Sequence, residues 1–127
     1  MVARRLSDVL IVDDDPDCVD ALRYLLEDRG YRVQVAQNGL EALAHFASGG
    51  RPDVVILDLL MPVMDGIEFL KRRRDDPIVA GTPVIVLTAT DGRLASREDV
   101  VLRKPVDFGQ LVQTIEACSA PGERVSD

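Results

Sequence analysis

Asp13, Asp14, Asp58, Thr88 and Lys104 are the residues of this chain whose types and spacing could do chemistry. Asp13 and Asp14 follow the apolar run Val9 to Val12, and Asp58 follows Val54 to Leu57. Thr88 follows Val84 to Leu87, and Lys104-Pro105 comes just after Val100 to Leu102. Taken singly, each has a plain explanation: a helix cap in Asp13 to Asp15, a turn at Asp58 or at Asp65-Gly66, a strand stop at Lys104-Pro105. Taken together they amount to a site. Crowded carboxylates either protonate or bind a metal, and oxygen-only donors point to a hard ion, most simply Mg²⁺. A carboxylate nucleophile, a hard metal, a lysine and a hydroxyl suit a transferred phosphoryl group, whose charged oxygens the cations and the hydroxyl hold while the aspartate attacks.

That chemistry requires a fold that brings these positions to one place. The four runs are continuous rather than alternating, as in parallel strands covered on both faces. Tyr31 to Val35 alternates, which suits an edge strand. Between the runs lie helical patterns. Asp15-Pro16 caps a helix carrying Val19, Leu22, Leu25 and Leu26, which Gly30 stops. Asn38-Gly39 opens a second, with Leu40, Leu43, Ala44 and Phe46, ended by Gly49-Gly50. A third begins near Gly66, and a last one at Asp107 with Leu111, Val112 and Ile115 inward. Alternating strands and helices predict a doubly wound α/β domain with five parallel strands and helices on both faces. In such a sheet ligands bind outside the carboxyl ends of the strands, where all five chemical residues fall.

Composition narrows the classes. With 127 residues the chain fits one domain, and 46% apolar residues exclude an acidic disordered chain. Residues 1–119 are read as the domain and 120–127 as a polar tail or the start of a linker. A net charge of −7 argues against direct nucleic-acid binding. The basic run Lys71 to Arg74 sits near a predicted helix end, where cations suit the dipole. Cys18 and Cys118 are too far apart for a metal or redox motif, and His45 lies in the second helix away from the strand ends. No membrane span or signal pattern is visible, so a cytoplasmic protein is expected.

The segments VLIVDDDP (9–16), VVILDLLMPVMDG (54–66), VIVLTA (84–89) and RKP (103–105) resemble the receiver domain of bacterial two-component response regulators, the CheY-like superfamily. The resemblance runs from about Asp8 to Cys118. It implies a flavodoxin-like sheet of order 2-1-3-4-5. It implies that Asp58 accepts a phosphoryl group from a sensor histidine kinase or phosphotransfer protein. By the same resemblance Asp14 ligates Mg²⁺ directly and Asp13 acts mainly through metal-bound water, while Leu60 offers its backbone carbonyl to the metal. Thr88, with Ala89 after it, follows the phosphoryl group, Lys104 pairs with it, and Lys104–Pro105 is a cis peptide. The protein would then catalyse only its own phosphorylation and slow dephosphorylation and control a protein partner that the sequence does not name. It would be a stand-alone receiver or part of a longer protein.

Two features depart from the family pattern. Val101 stands where an aromatic is usual, three residues before Lys104, which puts the usual coupling of Thr88 to that aromatic in doubt. Ala89 to Asp99 are few residues for a parallel crossover, and only Leu94 and Ala95 there are apolar. The helix of this crossover is therefore expected to be short or missing, and the usual output face incomplete. Two rival functions exist. A haloacid-dehalogenase-like phosphatase also uses a strand-end aspartate but wants a second one two residues on, where Leu60 stands. A pseudo-receiver would act without phosphorylation.

Overall fold

A computed structural model describes residues 8–59, 64–89 and 100–125, with side chains described as far as Cys118. The described elements are β1 (Asp8–Val12), α1 (Pro16–Asp28), β2 (Arg32–Ala36), α2 (Gly39–Ala47), β3 (Val54–Asp58), α3 (Gly66–Arg73), α4 (Pro77–Ala80), β4 (Val84–Thr88), β5 (Val100–Arg103) and α5 (Phe108–Val125). The strands form one parallel sheet in the order β2-β1-β3-β4-β5. This is the doubly wound α/β fold expected from the sequence, with helices on both faces.

Why the central strands read as unbroken apolar runs is now visible. Alternate residues of each strand point to opposite faces, and both faces are covered. Val9, Ile11, Val54, Ile56, Ile85 and Leu87 pack against Val19, Leu22 and Leu26 of α1 and Leu111, Val112 and Ile115 of α5. Leu10, Val12, Val55, Leu57, Val84 and Val86 pack against Ala42 and Phe46 of α2, Phe69 and Leu70 of α3, and Val79 of α4. β2 lies at the sheet edge and exposes Arg32 and Gln34.

The helix ends follow capping chemistry. The side chains of Asp15, Asn38 and Asp65 each accept a backbone N–H in the first turn of their helix. Gly30 and Gly49 leave α1 and α2 at φ 96° and 106°, a left-handed turn without the steric cost a Cβ would bring.

α4 is absent from the sequence reading. Its start repeats the Asp-Pro signal that opens α1: Asp76 caps it by accepting the Ile78 N–H at 3.0 Å, and Pro77 opens the first turn. One turn is too short for an apolar period to show; buried Val79 anchors it. At the other end of the chain, the backbone of α5 stays helical through Val125, beyond the boundary at Ala120. A helix nucleated on a packed face propagates readily through polar residues, although Pro121 brings no N–H of its own to this one. The crossover expected to lack a full helix falls on residues 90–99, outside the described residues.

Candidate functional site

The site begins at the switch point of the sheet. The chain passes from β1 outward to β2, then returns to β3 on the other side of β1, and the crevice between β1 and β3 opens at their carboxyl ends. Asp13 extends β1 by one residue, its N–H donating to Ala36 O at 3.0 Å. Its Oδ1 accepts the Asp15 N–H, also at 3.0 Å, so the carboxylate is folded under the start of α1. Asp13 is only 3% exposed, whereas Asp14 beside it is exposed. Asp58 ends β3 with its side chain 12% exposed.

Asp13, Asp14 and Asp58 each present a carboxylate oxygen within 4.8 Å of the others. Lys104 enters from the end of β5. Its Nζ lies 3.7 Å from Asp13 Oδ2 and 3.6 Å from Asp58 Oδ1, and its N–H donates to Thr88 O at 2.8 Å, continuing the ladder past the last strand pair. Thr88, 1% exposed, ends β4 one step beyond Leu87, the register partner of Asp58. Ala89 follows it and is exposed. The Lys104–Pro105 peptide bond is cis. Leu60, whose carbonyl the family resemblance assigns to the metal, lies outside the described residues.

The electrostatics are those of a crowded carboxylate cluster beside a lysine. Burial lowers the affinity of Lys104 for its proton, but Asp13 and Asp58 outweigh burial, so its pKa stands above the ordinary 10.5. Among the described residues, three carboxylates gather around the Lys104 ammonium, so carboxylates outnumber the cation there. Asp13 Oδ2 is buried and accepts no hydrogen bond among the described residues; its charge partner Lys104 stands beyond hydrogen-bond distance. A hard divalent cation fits this donor set, which is all oxygen and carries the charge to be balanced.

The structure also shows neighbours that residue types alone did not reveal. Cys18, in the first turn of α1, borders the site. Burial first, and the Asp13 carboxylate second, push its thiol up to about 11. Gly66 lies so near the Asp58 carbonyl that a Cβ on it would come within 2.6 Å of Asp58 O. Val101 is partly buried against the α2–α3 side of the core. His45 sits in the last turn of α2, edge-on to Phe46 at 6.2 Å, and takes no part in the cluster. Of the basic run, Arg72 pairs with Glu68 at 3.0 Å and Arg73 donates to Thr82 O at 3.0 Å, which ties the helix end to the entry of β4.

Residues 9–116 match the family model of the response regulator receiver domain. An uncharacterized 14.6 kDa protein in the sodA1 3′ region of Leptolyngbya boryana is 40% identical over 115 residues, which cover 86% of this chain and 87% of that one. The transcriptional regulatory protein TrcR of Mycobacterium tuberculosis is 38% identical over 110 residues; the match covers 82% of this chain but only 42% of TrcR. Among solved structures, the receiver domain of the sensor histidine kinase PA1611 from Pseudomonas aeruginosa, crystallised with magnesium in its active-site cleft, is similar with a TM-score of 0.79 at 25% identity, covering 91% of this chain and 99% of that domain. Among the described residues no helix is long and apolar enough to cross a membrane. With its five-stranded parallel sheet and its aspartate cluster at the β1/β3 crevice, the chain belongs to the family of response regulator receiver domains.

Proposed function

We propose that this chain is a phosphoacceptor module. Asp58 takes a phosphoryl group from a phosphohistidine of a sensor kinase or phosphotransfer protein, and the change at the site controls a protein partner. The observation that carries this reading is the convergence of Asp13, Asp14 and Asp58 with Lys104 placed 3.6 Å from Asp58 Oδ1. An Asp58 oxygen attacks phosphorus as the phosphorus–nitrogen bond of the donor breaks, and the released imidazole is left to take up a proton. Lys104, already beside Asp58, follows the charge onto the phosphoryl oxygens. Thr88, at the end of β4, supplies a hydroxyl donor, with the Ala89 N–H next to it. Asp14, Asp13 and Asp58 would hold Mg²⁺, which when bound neutralises charge on the attacking carboxylate and the phosphoryl group.

In this reading the protein works in the cytoplasm, turns over no external substrate and binds no nucleic acid itself. A phosphatase of the haloacid dehalogenase type is disfavoured because Leu60 stands where its acid/base aspartate would be. A pseudo-receiver is disfavoured because the acceptor, the acidic cluster, the lysine and the hydroxyl are all present. Incubation with acetyl phosphate and Mg²⁺ should add one phosphoryl group by intact mass. Equal labelling of Asp58→Asn would reject Asp58 as the acceptor, and rapid turnover of acetyl phosphate would favour the phosphatase.

A further inference from the structure

The segment that leaves Asp58 comes back to it at Gly66. The Gly66 N–H donates to Leu59 O at 2.9 Å, which closes the neck of the loop that begins at the acceptor. Asp65 caps α3 by accepting the Glu68 N–H at 2.9 Å, so the helix starts hard against this neck. A Cβ on Gly66 would lie 2.6 Å from Asp58 O and 2.8 Å from Leu59 Cα. Both are backbone atoms of the strand end, and neither can swing aside as a flexible side chain would. The constraint on Gly66 is space: its φ is not in the left-handed region.

The far end of the loop is pressed in the same way. The Gly39 N–H donates to Met64 O at 2.8 Å, and a Cβ on Gly39 would meet Met64 Cγ at 2.8 Å, Met64 Sδ at 2.9 Å and Met64 O at 3.0 Å. Two helices thus hold the two ends of one loop through two residues that lack side chains. We propose that Gly66, backed by Gly39, is a positioning residue for the phosphoacceptor. It lets α3 sit close enough to fix the Asp58 peptide, and so the aim of the Asp58 carboxylate toward Asp13, Asp14 and Lys104.

The inference rests on Asp58 being the acceptor, yet it can fail separately. A group added at Gly66 forces the Asp58 carbonyl and α3 apart, and any part of that shift taken up at Asp58 turns its backbone and carries its side chain with it. Small misplacements of a reacting group cost large factors in rate. Gly81 provides a control: its added Cβ would lie 3.5 Å from Pro77 O, an ordinary contact remote from the acceptor.

The test compares wild type, Gly66→Ala and Gly81→Ala, each checked for a native far-UV spectrum and a cooperative melt. Labelling by acetyl phosphate is followed across a Mg²⁺ titration, and Mg²⁺ binding without phosphodonor is followed by amide chemical shifts. Folded Gly66→Ala should label on the order of tenfold or more slowly and bind Mg²⁺ more weakly, while Gly81→Ala matches wild type. A Gly66→Ala protein that only melts earlier, with Mg²⁺ affinity and labelling rate within about twofold of wild type, overturns the inference. If Gly66→Ala does not fold, Gly39→Ala is measured in its place: the Met64 side chain can yield enough for the protein to fold, while the backbone Met64 O, 3.0 Å from the added Cβ, still carries the pressure to the loop end; unchanged Mg²⁺ binding and labelling would overturn the inference as well. Failure of wild type to label at Asp58 defeats the acceptor reading itself, and the metal titration then still reports whether Gly66 sets the carboxylate cluster.

Discussion

Lys104 Nζ stands 3.6 Å from Asp58 Oδ1 and 3.7 Å from Asp13 Oδ2, bridging the ends of β1 and β3 from the loop after β5. A single cation thus holds together two carboxylates that would otherwise repel each other at the mouth of the sheet. At these distances the ammonium is an ion-pair neighbour of both carboxylates.

Lys104→Met should therefore destabilise the metal-free protein, by about 1–2 kcal/mol, because it takes the ammonium away from buried Asp13 and its neighbour Asp58. The pH dependence follows from the raised pKa of Lys104. A group whose folded pKa is raised stabilises fully below its unfolded value and loses that contribution as the pH climbs through the folded one. The gap between wild type and Lys104→Met in urea melts should hold steady at neutral pH and shrink only above the ordinary lysine value of 10.5. A gap that closes near neutrality would mean that Lys104 does not carry the effect.

Much of this site was legible because of where its residues fall relative to apolar runs. Val54 to Leu57 read as a strand covered on both faces, which puts a carboxylate at its tip at the mouth of the crevice. Asp15, Asn38 and Asp65 were readable as caps or turns from their types alone. Four features were not. The four residues of α4 are too few for a period, and only the repeat of Asp-Pro at Asp76-Pro77 could have signalled it. Gly66 read as a turn residue, because a clash with the Asp58 carbonyl depends on how α3 packs and leaves no trace in spacing. Cys18 read only as one of two cysteines too far apart for a metal or redox motif, because its closeness to Asp13 arises from the fold of the β1–α1 turn. The helical backbone to Val125 was hidden behind Pro121-Gly122, which as a dipeptide signals a break.

Phe69 is fully buried in α3 on the side of the core that also holds Leu59 and Met64, the described ends of the loop after Asp58. Phe69→Ala should cost about 3–5 kcal/mol, the range for a large cavity in a packed core. It should also loosen the seating of α3, so that amide exchange at Gly66 speeds up more than at Val112 on the opposite face. Equal acceleration at both would indicate a purely global loss of stability.

The last prediction separates the neighbouring aspartates. Asp14 is exposed and is one of three carboxylates crowded within 4.8 Å. Removing it relieves repulsion and breaks little, so Asp14→Ala without metal should melt slightly higher than wild type, by the equivalent of about 0.5–1 kcal/mol. Asp13 is buried, accepts the Asp15 N–H at 3.0 Å and faces Lys104. Asp13→Ala should therefore melt lower, by about 1–3 kcal/mol, since it strands a donor at the start of α1 and leaves Lys104 one partner. Mg²⁺ should reverse the order for Asp14. At ten times its dissociation constant a ligand that binds only the folded state adds about 1.4 kcal/mol. Wild type should gain that increment and Asp14→Ala should lose most of it, so that the two melting curves cross as Mg²⁺ is raised. If metal-free Asp14→Ala melts below wild type, the carboxylates are not in net repulsion. If it gains as much from Mg²⁺ as wild type does, Asp14 is not a ligand.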